Sequence, residues 1–116
     1  MDFSLLQASP KHKTVIENLM QFYIYDFSEY INLEVGENGQ FDPYSDLDNY
    51  WIDKSNKFPY IIAKDGKYVG FALVKLNYAN SRKYFSIAEF FILRKYRLQG
   101  GGKLSRPRNV SLWGRA

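Results

Sequence analysis

The apolar positions of this chain change period twice. Phe3 to Gln7 reads as a short strand. Pro10 then suits a helix start, because the first helical turn does not need its missing N–H. From Thr14 onward Ile16, Leu19, Met20, Tyr23, Phe27 and Tyr30 recur at three- and four-residue steps. That spacing predicts an amphipathic helix of roughly four to five turns. Its aromatic residues fit a core, and those near its C-terminal end could also line a pocket. Glu34 to Pro43, with Gly36, Asn38 and Gly39, reads as a loop. Ser45-Asp46-Leu47-Asp48 looks like a second helix start, with a capping serine and acids in the first turn. Leu47, Tyr50 and Trp51 would form its apolar face, and it should end near Lys54 to Asn56.

The pattern then turns to strands. Phe58 to Lys64 is one, and Asp65-Gly66 is a strong hairpin signal, because both central residues of that turn need positive φ. Lys67 to Leu76 returns, Asn77 to Lys83 reads as a polar loop, and Tyr84 to Leu93 is the third strand of a meander. The predicted class is α+β, in the order β-α-α-β-β-β, with helices packed on an antiparallel meander. There is no internal repeat.

Composition narrows the chemistry. At 116 residues, 46% hydrophobic and 18% aromatic, the chain can build one compact core. It has no cysteine, which excludes disulfides, zinc-thiolate sites and thiol nucleophiles and fits a cytoplasmic protein. The single histidine, His12, lies between Lys11 and Lys13, so neither a His-based triad nor a multi-His metal site is expected. No apolar run approaches the ~20 residues that span a bilayer, and no signal peptide is evident at the N-terminus. Residues 1–93 hold nine Lys/Arg and twelve Asp/Glu, whereas residues 94–116 hold seven Lys/Arg and no acid. All of the basic excess follows the last strand. It suits either an anionic partner or a solvated tail.

The motif at that boundary is Arg97-Leu98-Gln99-Gly100-Gly101-Gly102-Lys103, five residues beyond Ile92. A P-loop fails, since Arg97 stands where its first glycine belongs and Leu104 where Ser or Thr belongs. A dinucleotide fingerprint would need glycine at Ser105 and a βαβ unit, and fails as well. What remains is Arg97-x-x-Gly100-x-Gly102. Glycines of this kind let several backbone N–H groups approach an anion closely.

In this setting the motif resembles the pyrophosphate loop of the GNAT superfamily of N-acetyltransferases, [QR]-x-x-G-x-[GA]. Strand Ile87 to Ile92 resembles that family's fourth strand, and Ala63 to Val74 its second and third. The resemblance covers about residues 3–103. It implies an acetyl-CoA-dependent N-acetyltransferase that acts by direct attack of a primary amine on the co-substrate. Arg97, Leu98, Gln99, Gly100, Gly101, Gly102 and Lys103 would then cradle the diphosphate. Free backbone groups of Phe91, Ile92 and Leu93 would hold the pantetheine arm. Glu89, the one carboxylate of the strand, would be the general base, with Ala88, Phe90 and Phe91 as apolar surroundings; alternatively it points to solvent or pairs with a lysine. Tyr25, Glu29 and Tyr30 are candidates for the acceptor side, whether the amine belongs to a small molecule or a peptide. No metal and no membrane partner are implied.

After Lys103 the family continues with an Ala/Leu-rich helix and further strands, whereas residues 104–116 include Pro107 and lack apolar periodicity. The expectation is therefore a partial domain, 1–103, truncated or frameshifted after the fourth strand and the coenzyme A loop, with a basic irregular tail at 104–116. By itself such a chain should be weak or inactive, and its exposed sheet edge would allow a homodimer. The alternative is a non-catalytic coenzyme A binder or a basic nucleic-acid-binding module. Nucleic acid is poorly supported, because Trp113 is the tail's one aromatic residue.

Overall fold

The computed structural model describes residues 3–97. Seven elements follow in chain order: β1 (Phe3–Gln7), α1 (Lys13–Ser28), α2 (Asn49–Ile52), β2 (Lys57–Lys64), β3 (Lys67–Ala79), β4 (Arg82–Ile92) and α3 (Arg94–Arg97). The strands form one antiparallel sheet in the order β1-β2-β3-β4, so β4 is an edge among the described residues. The expected α+β meander with helices on the sheet is what the chain forms. Leu98 to Lys103 and the basic tail lie outside the described residues.

Pairing sorts the strand residues by face. Ile61, Phe71, Leu73 and Phe91 point to one side and pack with Ile16, Leu19 and Met20 of α1 and with Leu47 and Tyr50. Ile62, Val69 and Ile92 cluster on the other, beside Phe3, Phe90 and Tyr96. Burial removes apolar surface at about 25 cal/mol per Å², so the first and larger cluster anchors the helices. His12 is structural: it accepts a hydrogen bond from the Ser9 N–H at 3.0 Å, in a 3-10 turn over Pro10–His12 that leads into α1.

Three sequence expectations need correction. Helix α1 stops at Ser28, because the N–H groups of Tyr30 and Ile31 both turn back to the Phe27 carbonyl and close the last turn. Tyr30 therefore lies beyond the helix and is 78% exposed. The second helix is only Asn49–Ile52, and Asp48, not Ser45, stands at its N-cap. Tight turns precede it, with Leu47 N–H donating to Tyr44 and Asn49 N–H to Asp46. The Asp46 carboxylate instead takes Asn49 Nδ2 and Lys57 Nζ, each at 2.7 Å. Finally, Asn77 to Lys83 is no loop. The strands run on to Ala79 and from Arg82, joined at Asn80 and Ser81 with φ of 52° and 64°. Polarity there reflects a solvent-exposed hairpin end. Asn tolerates the left-handed conformation without glycine, because its short polar side chain bonds locally. The Asp65-Gly66 turn forms as expected, with φ of 51° and 78°.

Two features fix β4 against β3. A Cβ at Gly70 would lie 2.0 Å from the Phe91 carbonyl oxygen, so the close approach of the two strands requires glycine there. Farther along, Leu73 pairs with Glu89 but Val74 with Ile87, which makes Ala88 the extra residue of a β-bulge.

Candidate active site

Glu89 sits on the α1 face of β4, and two phenols meet its carboxylate. Tyr23 of α1 donates its O–H to Oε1. Tyr44, from the segment between the helices, donates to Oε2 at 3.0 Å. To the apolar neighbours expected from Ala88, Phe90 and Phe91 the structure thus adds two hydroxyl donors. By alternation Phe90 faces the opposite side of the sheet, while Ala88 and Phe91 belong to the cluster below.

Both phenols are positioned by neighbours. The Tyr23 ring meets Phe27, Phe71 and Phe91 edge to face, at centroid distances of 4.9, 5.6 and 5.8 Å. Such contacts add about 0.5–1.5 kcal/mol beyond burial. Tyr44 follows a segment tied to α1 by one side-chain amide: Gln21 donates to the Phe41 carbonyl at 3.0 Å and accepts from the Phe41 N–H at 2.9 Å. The Tyr44 pKa is pushed well above the ordinary tyrosine value, by burial first and then by the Glu89 charge and hydrogen bond. Tyr50 is raised as well, by burial, then by the charges of Asp46 and Glu89, and its buried hydroxyl has no hydrogen-bond partner. Tyr44 and Tyr50 therefore stay protonated through neutral pH.

Tyr44 also lines an open cleft of about 550 Å³ between α1 and residues 36–48, with Glu17, Gln21, Asn38, Asp42 and Asp48 among its walls. The cleft is polar and carries more carboxylates than cations, which suits a cationic molecule.

At the far end of β4 the Leu93 N–H donates to the Val69 carbonyl at 2.8 Å. An antiparallel ladder alternates every two residues, so Phe91 and Glu89 turn their backbone groups to β3, while Phe90 and Ile92 turn theirs to the open edge. Of Phe91, Ile92 and Leu93, only Ile92 therefore presents its N–H outward. Its carbonyl accepts Arg97 Nε at 2.6 Å. Arg97 is further held by Asp26 at 2.9 Å, which also pairs with Arg94 at 2.7 Å, and its guanidinium lies 5.3 Å from the Phe91 ring centroid. The expected phosphate ligand is thus engaged with α1 and β4. Leu98, Gln99, Gly100, Gly101, Gly102 and Lys103 are outside the described residues.

Tyr25 and Tyr30 are 63% and 78% exposed, and Glu29 is exposed at the end of α1. Tyr25 lies about 200° around the helix from Tyr23, so it cannot share the Glu89 side. The residues gathered at Glu89 are Tyr23 and Tyr44, neither of which the sequence singled out for chemistry. For Tyr23 a signal exists: a tyrosine on the buried face of a helix needs a partner for its hydroxyl. Tyr44 lies in a stretch without periodicity and had none.

Among the described residues no group of three or more His, Cys, Asp or Glu could hold a metal ion, and no helix is long and apolar enough to cross a membrane.

The sequence matches the acetyltransferase (GNAT) family over residues 18–104, which takes in most of α1, all of α2, β2, β3, β4 and α3, and the Arg97 to Lys103 motif. This chain belongs to that family. No curated protein gives a significant match. Solved structures with the same fold include AAC(6')-Iy bound to a bisubstrate analogue, CoA-S-monomethyl-acetylneamine, at 17% identity and a TM-score of 0.55, covering 99% of this chain and 73% of that one. An aminoglycoside acetyltransferase from an uncultured soil metagenomic sample, in complex with sisomicin, aligns at 13% identity and a TM-score of 0.57, over 97% and 70% of the two chains. A GNAT family acetyltransferase of Staphylococcus aureus aligns at 19% identity and 0.54, over 99% and 80%.

Proposed function

We propose that this chain is an acetyl-CoA-dependent N-acetyltransferase, with Glu89 as the base that takes the proton of a primary ammonium. The observation that carries this reading is a carboxylate held by neutral donors on β4, the edge strand among the described residues of an acetyltransferase fold. An ammonium has no lone pair for attack. Once Glu89 has accepted a proton, the amine nitrogen forms the new C–N bond at the thioester carbonyl, the C–S bond breaks, and the leaving thiolate takes up the further proton that the nitrogen loses on becoming an amide. The outward N–H of Ile92 and the backbone of Phe90 suit the amides of a pantetheine arm. Gly100 to Lys103 suit the diphosphate, through the backbone N–H groups that glycines expose and the charge of Lys103. Arg97, already paired with Asp26, contributes by fixing where that loop begins. The acceptor enters along the carboxylate-lined cleft beside Tyr44, which favours small cationic amines, the aminoglycosides bound by the structural neighbours being one such class.

The test is to incubate the purified chain with acetyl-CoA and a panel of primary amines, and to follow free thiol with an aromatic disulfide reagent. The chain has no cysteine, so all thiol signal is from coenzyme A. For a chain expected to be weak by itself, slow amine-dependent thiol release that falls about 100-fold or more in Glu89→Gln is the expected result. Absence of release with every amine, or full activity in Glu89→Gln, overturns the assignment.

A further inference from the structure

We infer that Tyr23 and Tyr44 are positioning residues that form a two-phenol clamp on Glu89, one hydroxyl for each carboxylate oxygen, and so aim the base at the acceptor cleft. The inference rests on the acetyltransferase reading above.

A carboxylate has about four acceptor positions, and the clamp uses two, leaving two for an incoming ammonium. The choice of partner matters as much as the geometry. A lysine or arginine would orient Glu89 equally well but would cancel its charge, and with it the attraction for a cationic acceptor. A phenol fixes the carboxylate and leaves the charge in place.

The two hydroxyls reach Glu89 from separate segments, each held by its own contacts: Tyr23 by three aromatic rings, Tyr44 by the Gln21–Phe41 bonds that tie its segment to α1. Tyr44 has a second side, since it also lines the cleft. One residue therefore touches both the base and the acceptor's path. Simple satisfaction of buried hydroxyls does not account for the convergence, because Tyr50 is buried in the same cluster with its hydroxyl unpartnered.

Two measurements test the clamp, and they fail separately. The first needs no turnover: ultraviolet titration of tyrosine ionisation in the wild type, Glu89→Gln, Tyr44→Phe and the double variant. With the carboxylate charge removed, tyrosine ionisation should move to lower pH in Glu89→Gln, and the part of that change due to Tyr44 should be missing from the double variant. An unchanged titration overturns the clamp, whatever the activity. The second is acetyl transfer by Tyr23→Phe and Tyr44→Phe, which keep the rings and remove one oxygen each. Each should lower kcat about 10-fold, with the KM for acetyl-CoA unchanged. Wild-type kcat in both variants overturns the positioning role. A wild type that transfers no acetyl group overturns the proposed function instead, and the titration still reports on the clamp.

Discussion

Two charged side chains flank Phe91, and α1 holds them in opposite ways. Glu89 is met by Tyr23 and Tyr44, which are neutral, so its charge persists. Arg97, lying over the Phe91 ring, is met three residues farther along α1 by Asp26, which offsets part of its charge while also pairing with Arg94. The same helix thus builds an electrostatically live group and a partly compensated one within one turn. The difference separates chemistry from anchoring: a charge left uncompensated in a crowded place has a task, whereas a compensated one is a fastener.

The largest effect should come from breaking what both arrangements share, the position of β4. Gly70→Ala drives a methyl into the Phe91 carbonyl, where backbone cannot yield. A loss of about 3 kcal/mol or more is expected by urea denaturation; a change within 0.5 kcal/mol would show that β3 and β4 adjust freely. Next is the anchor. Asp26→Asn leaves a mostly buried guanidinium with its neutral partners alone, and should cost about 1–2 kcal/mol of stability. If Arg97 acts only as an anchor, coenzyme A affinity should fall in that variant. A gain in affinity would mean that Asp26 withholds Arg97 from the phosphates.

The subtlest effect concerns the live group and appears in alkali. Tyr44 has a folded-state pKa above its unfolded value near 10. The stability tied to its protonated form is complete below about pH 10 and is lost as pH rises beyond it. Wild-type stability should therefore fall more steeply above pH 10 than that of Tyr44→Phe. Tyr50, also raised, supplies a background slope common to both proteins. Parallel curves would mean that Tyr44 ionises as freely in the folded protein as in the unfolded one.

Much of this was legible in the sequence. The steps from Ile16 to Phe27 located α1 and its buried face, Asp65-Gly66 located a turn, and Arg97-x-x-Gly100-x-Gly102 pointed to the family. Three things were hidden, each for a physical reason. Polarity at 77–83 reads the same for a loop and for the exposed end of a hairpin. The turn at Asn80-Ser81 uses no glycine, so its strongest marker is missing. The site depends on pairings across 66, 45 and 71 residues, Tyr23 and Tyr44 with Glu89 and Asp26 with Arg97, and no local pattern encodes such distances. Alternation along β4 was misleading too. It puts Phe85, Ile87, Glu89 and Phe91 on one face, whereas the register assigns the first two to the face opposite the last two.

That last difference comes from Ala88, and its consequence is clearest in the language of insertions and deletions. An alanine contributes little by its side chain, so many small residues could replace it with modest effect. Its presence as a counted residue matters far more. Remove it, and one arm of the strand must rotate by a full face to keep pairing with β3. Either the outer hairpin turns over, or Glu89 leaves Tyr23 and Tyr44 for the far side of the sheet. Position 88 works as a spacer whose length is under constraint even where its chemistry is not.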